Sequence, residues 1–298
     1  MRDLTEISKN FATYLANLSP QVKDNSLQWY LSGSLASMIL GEAESICDVL
    51  LDNNNCLIGD DERKEIDSKQ KNKLKTFSRK LGDDVDIVNV NGDLFSGAPI
   101  GNKPNIQNVM RNVPNILDLM SWNPKISGTG YIDNLESERD IQIHYVSKIK
   151  TNNGDVFITA LPELLAHKIS ETLWLGSILQ EDKESIKTQY EKDIKDLTSM
   201  FYGFKDLYEE NKFLKRVYSA LEEKENSLFS INDNLVFEDA EKSKEYLNKI
   251  IKMIASDSSN YLDMICNDKN ENTINEFFEK LVNKRNLDIE KEKMDYSR

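Results

Sequence analysis

The sequence predicts an α/β (α+β) fold, in which a mixed β-sheet flanked by helices is followed by a C-terminal helical bundle. Short β-branched or apolar segments bounded by turn residues lie in the first 160 residues. After Pro162 the chain has no further proline and its glycines are Gly176 and Gly203, while apolar residues recur at helical spacing. This change in composition near residue 155 predicts one domain over 1–155 and a helical domain over 156–298.

Local patterns predict the elements of the first domain. Two segments have apolar residues on one helical face, Leu4–Leu18 and Asp61–Leu81, and Leu35–Leu40 is an apolar helix start after Ser32-Gly33-Ser34. Four segments have the composition of strands, namely Leu27–Leu31, Val85–Val90, Ile141–Val146 and Asp155–Thr159. Four of the six prolines fall between residues 95 and 125, which predicts a long loop with one short helix near Asn105–Val113.

The second domain is predicted to be helical throughout. Its first helix has Pro162 in the first turn and an apolar stripe that consists of Leu161, Leu164, Leu165, Ile169 and Leu173. The further predicted helices are Ser185–Tyr202, Lys205–Lys224, Asp239–Ala255 and Thr273–Val282. The charge-rich residues 286–298 have little to bury, and we expect them to fray.

Composition excludes several classes of protein. The 38 Lys and Arg residues against 51 Asp and Glu residues give a net charge of −13, so nucleic-acid binding would need a local exception to the acidic surface. Three scattered cysteines and two histidines provide neither a disulfide framework nor a four-cysteine or His-rich metal site. No apolar run approaches the roughly 20 residues that cross a bilayer. We therefore expect a reduced cytoplasmic protein without a membrane partner.

Two short motifs have residues that suit nucleotide chemistry. Gly33-Ser34 lies between a predicted strand and a predicted helix, where backbone N–H groups and a hydroxyl can bind phosphates. Asp84-Val85-Asp86 lies in a predicted strand, whose alternation places both carboxylates on one face, a natural seat for Mg²⁺ with substrate phosphates. Together they suit two-metal transfer of a nucleotidyl group. The alternatives are a solvated edge strand and an ordinary turn.

Two further motifs make a family resemblance specific. The segment 159–169 (Thr-Ala-Leu-Pro-Glu-Leu-Leu-Ala-His-Lys-Ile) resembles the "leu-leu-ala-x-lys-ile" helix of the AbiEii-type nucleotidyltransferases, toxins of type IV toxin–antitoxin and abortive-infection systems. Lys192-Asp193-Ile194-Lys195-Asp196-Leu197 resembles that family's "lys-asp-x-x-asp-leu" helix. The four motifs occur in the family's order over residues 31–197.

The resemblance implies a DNA-polymerase-β-like nucleotidyltransferase core and a helical domain that completes the active-site cleft. It implies that Gly33 and Ser34 hold the triphosphate of an NTP, and that Asp84 and Asp86 hold two Mg²⁺ ions, with Mn²⁺ as an alternative. Lys168 would neutralise phosphate charge, and Asp193 would complete the site. Lys168 lies beside a buried stripe, where a lysine is costly unless it is paired, faces a ligand or reaches solvent at the stripe's edge.

Two departures from the family pattern leave alternatives open. The acidic pair usually follows Gly-Ser by about a dozen residues, whereas Asp84 comes 50 after Ser34 and Asp48 comes 14 after it. We prefer an inserted helix at Asp61–Leu81, which keeps Asp84 and Asp86 as the metal ligands. For the third carboxylate, the general base, Asp140 is the candidate, and His144 is the alternative.

A basic run forms a local exception to the acidic charge. It consists of Arg63, Lys64, Lys69, Lys71, Lys73, Lys75, Arg79 and Lys80, against Asp61, Glu62, Glu65 and Asp67. Such a run is usually a solvated helix face, but beside a nucleotide site it could bind a triphosphate or an RNA acceptor.

The predicted function is transfer of a nucleoside monophosphate from NTP to a hydroxyl of an RNA (tRNA among the candidates) or protein acceptor. A cognate antitoxin would be a further partner of such a toxin. The alternatives are an antibiotic-type enzyme that modifies a small molecule, and a relative that binds a nucleotide or a partner protein without catalysis.

Overall fold

The computed structural model describes a defined part of the chain. The described residues are 21–27, 29–32, 36–37, 39–52, 56–60, 63–78, 86–89, 94–96, 145–152, 154–179, 184–223, 240–266 and 274–284. The chain divides into two compact units, residues 1–164 with 202–207, and residues 165–201 with 208–298. The predicted boundary at 155/156 precedes this division.

The first unit is built on a mixed β-sheet. Its described strands are β1 Val22–Lys23, β2 Ser26–Leu27, β3 Trp29–Ser32, β4 Ser45–Leu51, β5 Leu57–Asp60, β6 Lys64–Glu65, β7 Asp86–Asn89, β8 Leu94–Ser96, β9 Tyr145–Thr151 and β10 Gly154–Thr159. The main sheet has the order β5-β4-β9-β10-β3-β7-β8, and β6 also pairs with β4. β10 and β3 are parallel, and the other pairs are antiparallel. β1 and β2 form a separate hairpin.

Strand β4, inside the sheet, was not among the predicted strands. All of its residues except Leu50 are buried, so the sequence shows no alternation of apolar and polar residues. β9 and β10 form a hairpin, and β10 begins at Gly154, whose φ of +122° favours glycine. This hairpin places β9 next to β4 and β10 next to β3.

The core of the first unit covers one region of the sheet. One cluster of this core has the buried members Leu27, Tyr30, Val49, Leu51, Val146 and Phe157. The Gln21 side chain continues the hydrogen bonding of the sheet. It donates from Nε2 to the Phe157 carbonyl and accepts from the Phe157 N–H, both at 2.9 Å. This pairing satisfies both polar groups of a backbone position in β10.

The predicted helix Asp61–Leu81 is shorter than expected. Helix α1 spans Ser68–Ser78, and Asp67 caps its first turn by accepting from the Gln70 N–H at 2.8 Å. Lys64 and Glu65 instead pair with β4 as β6. The prediction was wrong there because an apolar stripe that begins at Ile66 does not determine the conformation of the two residues before it. Residues 61–62 and 79–81 lie outside the described part.

The second unit is helical. The helices are α2 Leu161–Ile178, which begins in the first unit, α3 Glu184–Phe204, α4 Glu210–Glu223, α5 Ala240–Cys266 and α6, residues 274–284. α2, α3 and α5 meet at Gly176, where an added Cβ would lie 3.0 Å from Ile250 and 3.6 Å from Tyr190. Tyr190 donates to Asp257 at 2.8 Å, and Tyr246 donates to the Ser177 carbonyl at 2.9 Å.

The coarse fold prediction is confirmed, and several element boundaries are corrected. A mixed sheet, flanking helices and a helical C-terminal region are all present. Three predictions need correction: Leu27–Leu31 is divided between β2 and β3, Lys205–Lys224 is interrupted after the 3₁₀ turn Lys205–Leu207, and α5 extends to Cys266. The strand predicted over Ile141–Val146 is described from Tyr145 onward and continues to Thr151 as β9, while residues 141–144 lie outside the described part. Strand β8 was not predicted.

Other predictions fall wholly or partly outside the described residues. The helix Leu4–Leu18 and the short helix Asn105–Val113 lie there, as does the loop between 95 and 125 except for the end of β8. Leu35–Leu40 is described only in part, and its last residue begins the 3₁₀ turn Leu40–Glu42. In the part of the chain that the structure describes, no helix has the length and apolarity needed to span a membrane.

Candidate functional site

The structure describes some of the predicted site residues and not others. Gly33, Ser34, Asp84 and Asp140 lie outside the described residues, as does the alternative base His144. The backbone of Asp86 and the complete residues Lys168 and Asp193 are described. The structure therefore describes the geometry of two parts of the candidate site. One is the strand pair β3 and β7 in the first unit, and the other is the helix pair α2 and α3 in the second unit.

The strand pair joins the strand that precedes Gly33-Ser34 to the strand that contains Asp86. Ser32, the last residue of β3, is the Cα partner of Asp86, the first residue of β7. Opposed residues of antiparallel strands have Cα atoms roughly 4.5–5.5 Å apart. Gly33 follows Ser32 directly in the sequence. The chain therefore leaves β3 toward Gly33-Ser34 at the point where Asp86 pairs with β3.

The alternative acid, Asp48, lies elsewhere in the sheet. It belongs to β4, and β9 and β10 separate that strand from β3. Three strand spacings amount to about 14 Å. The Asp48 carboxyl is 5% exposed, and its Oδ1 accepts a hydrogen bond from Ser147 Oγ at 2.6 Å. Asp48 thus has a protein partner and lies three strands from β3, whereas Asp86 belongs to β7, which is next to β3.

The helix pair contains the two other motifs. Lys168 lies on α2 between Leu165 and Ile169, at the edge of the buried stripe, and its side chain is 13% exposed. Its Nζ donates to Glu171 Oε2 at 2.6 Å and to Asp193 Oδ1 at 3.4 Å. The predicted Lys168 and Asp193 are therefore in contact, which joins α2 to α3.

Asp193 is the more deeply buried partner, with a side-chain exposure of 1%. Gln189, one turn earlier on α3, also donates to its Oδ1, at 3.0 Å. The sequence analysis missed Gln189 and Glu171 as members of this cluster. Their spacing of four residues before Asp193 and three after Lys168 was the available signal, since such neighbours share a helix face.

The cluster around Lys168 has more negative than positive groups. Three carboxylates, of Glu171, Asp193 and Asp196, act on the single Lys168 ammonium. Burial lowers the pKa of Lys168, but these negative charges outweigh burial and hold its pKa well above the usual value. Burial raises the pKa of Asp193 to about 6; Lys168 opposes this, and Glu171 and Asp196 add to it. Asp193 therefore combines an ion pair with a raised pKa because burial and like charge exceed the attraction of Lys168.

Part of the basic run is occupied by intramolecular contacts. Lys73 pairs with Asp206 Oδ2 at 2.5 Å, and Lys64 donates to the Asp206 carbonyl at 2.5 Å. Gln70 donates to the Gly203 carbonyl at 2.8 Å. Gly203 lies in the last turn of α3, whose carbonyls have no partner within the helix. Gln70 of α1 therefore satisfies a carbonyl at the C-terminal end of α3. Lys73 of α1 and Lys64 of β6 place positive charge beside Asp206, directly after that helix.

The described residues do not themselves provide a metal site. Among them, no group of three or more His, Cys, Asp or Glu side chains could hold a metal ion. The carboxylates around Lys168 already surround an ammonium group. The predicted ligands Asp84 and Asp86 have no described side chains, so the assignment of Mg²⁺ to them stays a prediction.

The chain was compared with models of protein families, with curated proteins and with solved structures. None of the three comparisons finds a match. The functional argument therefore depends on the residues and contacts described above.

Proposed function

We propose that the chain is a Mg²⁺-dependent nucleotidyltransferase that moves a nucleoside monophosphate from NTP to a hydroxyl of an RNA or protein acceptor. We further propose that it is a cytoplasmic toxin of the type IV toxin–antitoxin or abortive-infection class, with a cognate antitoxin as partner. The pairing of Ser32 with Asp86 is the observation that supports the reaction most directly. It brings the strand of the acidic motif beside the residue that precedes Gly33-Ser34.

A second contact agrees with the proposal. The resemblance names four motifs; β3, which precedes the first, pairs with β7, which contains Asp86 of the second, and the last two meet through Lys168 and Asp193. Residues up to 142 positions apart form hydrogen bonds in the described part of this chain, so motif proximity does not follow from sequence distance alone. The two pairings, one in the sheet and one between α2 and α3, support the proposal.

In the proposed reaction, the N–H groups of Gly33 and Ser34 and the Ser34 hydroxyl bind the triphosphate. Asp84 and Asp86 hold Mg²⁺, which supplies positive charge to the phosphates. Asp140 accepts the proton of the acceptor hydroxyl as its oxygen bonds to the α-phosphorus. The bond from the α-phosphorus to the β-phosphate oxygen breaks, and pyrophosphate leaves. The resemblance assigns Lys168 to phosphate charge and Asp193 to completion of the site.

The first experiment is calorimetric titration of each of the four NTPs, with Mg²⁺ and with EDTA. Wild type should bind at least one NTP only with Mg²⁺, and Asp86→Ala should lose that binding. Asp155→Ala is the matched control, because Asp155 is also a strand aspartate but its side chain is 43% exposed and pairs with Lys148. It should bind as wild type does. No Mg²⁺-dependent binding to wild type would overturn the proposal.

Two further variants separate the alternatives. Loss of binding in Asp48→Ala but not in Asp86→Ala would move the metal site to β4. Asp140→Asn should keep NTP binding and lose turnover, since it removes the base and no metal ligand. With α-³²P-labelled NTP, label transferred to RNA or protein identifies the acceptor class. Label on a small molecule favours the antibiotic-type enzyme, and binding without pyrophosphate release favours a non-catalytic relative.

A further inference from the structure

Outside the predicted site, α5 and α6 enclose an open groove of about 910 Å³ within the second unit. Clefts that bind ligands commonly have roughly 300–1,000 Å³. One face of each helix lines the groove, from Asn248 to Asn260 on α5 and from Asn275 to Asn283 on α6. The twelve-residue separation on α5 corresponds to about 18 Å at 1.5 Å per residue. The groove is therefore long and runs along both helices.

The floor of the groove is apolar and its walls are polar. Ile251, Ala255 and Phe278 line the floor and are 6%, 8% and 2% exposed. The walls carry amide, hydroxyl and charged groups that recur at each helical turn. One hydrogen bond among the described residues crosses between the walls, from Asn275 Nδ2 to Ser259 Oγ at 3.5 Å. This bond helps to fix the separation of the two helices.

The charges of the walls argue against a phosphate ligand. Lys252 lies on the α5 wall, and Glu276 and Glu279 lie on the α6 wall. One positive charge against two negative charges leaves the groove slightly acidic. Polyanions such as nucleic acids bind through an excess of Lys and Arg. The groove therefore suits a neutral or basic ligand, and differs in this respect from the predicted nucleotide site.

The amide groups suit the backbone of an extended peptide. Four asparagines line the groove, Asn248 and Asn260 on one helix and Asn275 and Asn283 on the other. Each side chain offers both donors and an acceptor, as a peptide bond does. Asn248 and Asn260 are about 18 Å apart along α5, and Asn275 and Asn283 are about 12 Å apart along α6, so the amide groups can bond an extended peptide near both ends of the groove.

We propose that this groove binds an extended segment of about five to six residues from a partner protein, a length that matches 18 Å at roughly 3.3 Å per residue. The asparagine walls hydrogen-bond the peptide backbone, and alternate apolar side chains of the peptide rest on the floor. Basic side chains of the segment face Glu276 and Glu279. The proposal is independent of nucleotidyl transfer and concerns binding alone.

The test uses a displayed library of random 12-residue peptides, selected on wild type and counter-selected on the double variant Asn248→Ala/Asn260→Ala. Selected peptides should bind wild type at least tenfold more tightly than the double variant. Copies with N-methylated alternate residues should also bind at least tenfold more weakly. Asn211→Ala is the matched control, an exposed helical asparagine on α4, and should bind as wild type does.

The variants should fold, because alanine is a better helix former than asparagine at exposed positions. Circular dichroism and the midpoint of thermal unfolding check this for each variant. The proposal is overturned if the library yields no peptide that prefers wild type. It is also overturned if N-methylation leaves binding unchanged, since the backbone would then not be the recognised group.

Discussion

The Lys168 ammonium lies 3.4 Å from the Asp193 carboxylate and joins α2 to α3 inside the second unit. Only 1% of the Asp193 side chain is exposed, so water contributes little to its solvation. Glu171 and Asp196 add negative charge around the same ammonium. Lys168 therefore supplies the positive charge that stabilises the carboxylates of Glu171, Asp193 and Asp196, in addition to any role toward phosphate.

Removal of this ammonium should be costly. Lys168→Ala leaves the buried Asp193 carboxylate without its cation, and loss of one partner of a buried pair costs about 3–5 kcal/mol. Urea unfolding at pH 7 measures the change in the free energy of unfolding. Lys168→Arg should lose much less because its positive charge is retained. Lys195→Ala, at an exposed position of α3, should change stability by less than about 0.5 kcal/mol.

The raised pKa of Asp193 predicts a specific pH dependence. Its pKa is about 6 in the folded protein and roughly 3.9 in the unfolded chain, so the folded state binds this proton more tightly. The contribution of Asp193 to the free energy of unfolding should therefore fall as pH rises from about 4 to 6, and stay level above 6. Unfolding measured across this range for wild type and Asp193→Asn isolates the contribution. A difference that is constant with pH would contradict the raised pKa.

The buried hydrogen bond between Ser147 and Asp48 should matter for stability rather than for nucleotide binding. Ser147→Ala removes a donor at 2.6 Å from a 5% exposed carboxyl, at a cost of about 1–3 kcal/mol. Thermal unfolding checks this expectation. NTP affinity of the folded variant should match that of wild type if Asp86, and not Asp48, holds the metal. A large loss of affinity with retained fold would favour Asp48.

The contacts of α1 predict two effects of different kinds. Gln70→Ala should cost about 1 kcal/mol, since the Gly203 carbonyl loses its 2.8 Å donor. Asp206→Asn should cost less than about 1 kcal/mol, because the Lys73 and Asp206 side chains are 24% and 52% exposed. Urea unfolding at low salt and in 1 M NaCl distinguishes the two. The Asp206 effect should shrink in salt, and the Gln70 effect should persist.

Close helix packing at Gly176 limits the size of the side chain that this position can hold. Gly176→Ala gains about 1 kcal/mol of helix propensity but meets Ile250 at 3.0 Å and Met253 at 3.3 Å, so the two effects should nearly cancel. Gly176→Leu should destabilise by at least about 2 kcal/mol through overpacking. Thermal unfolding of both variants measures this. Equal stability of the two would show that α2 and α5 are less tightly packed here.

Helices could be predicted more reliably from this sequence than strands. The stripe from Leu161 to Leu173 identified α2 because one face of a helix is determined by residues three and four apart. Strand β4 had no such local signal, since its two faces are both covered and its residues are nearly all buried. The segment Asp61–Leu81 was predicted as one helix from its apolar stripe, which does not reveal that Lys64 and Glu65 pair with β4.

The candidate site shows the same division. The sequence by itself determined which residue types the motifs offer, including Asp86, Lys168 and Asp193, and that the second half is helical. Tertiary structure decided that Asp86 pairs with Ser32, that Asp48 lies three strands away, and that Glu171 and Gln189 join Lys168 and Asp193. The physical reason is that residue types and helix periodicity are local, whereas strand order and burial depend on contacts between residues far apart in the chain.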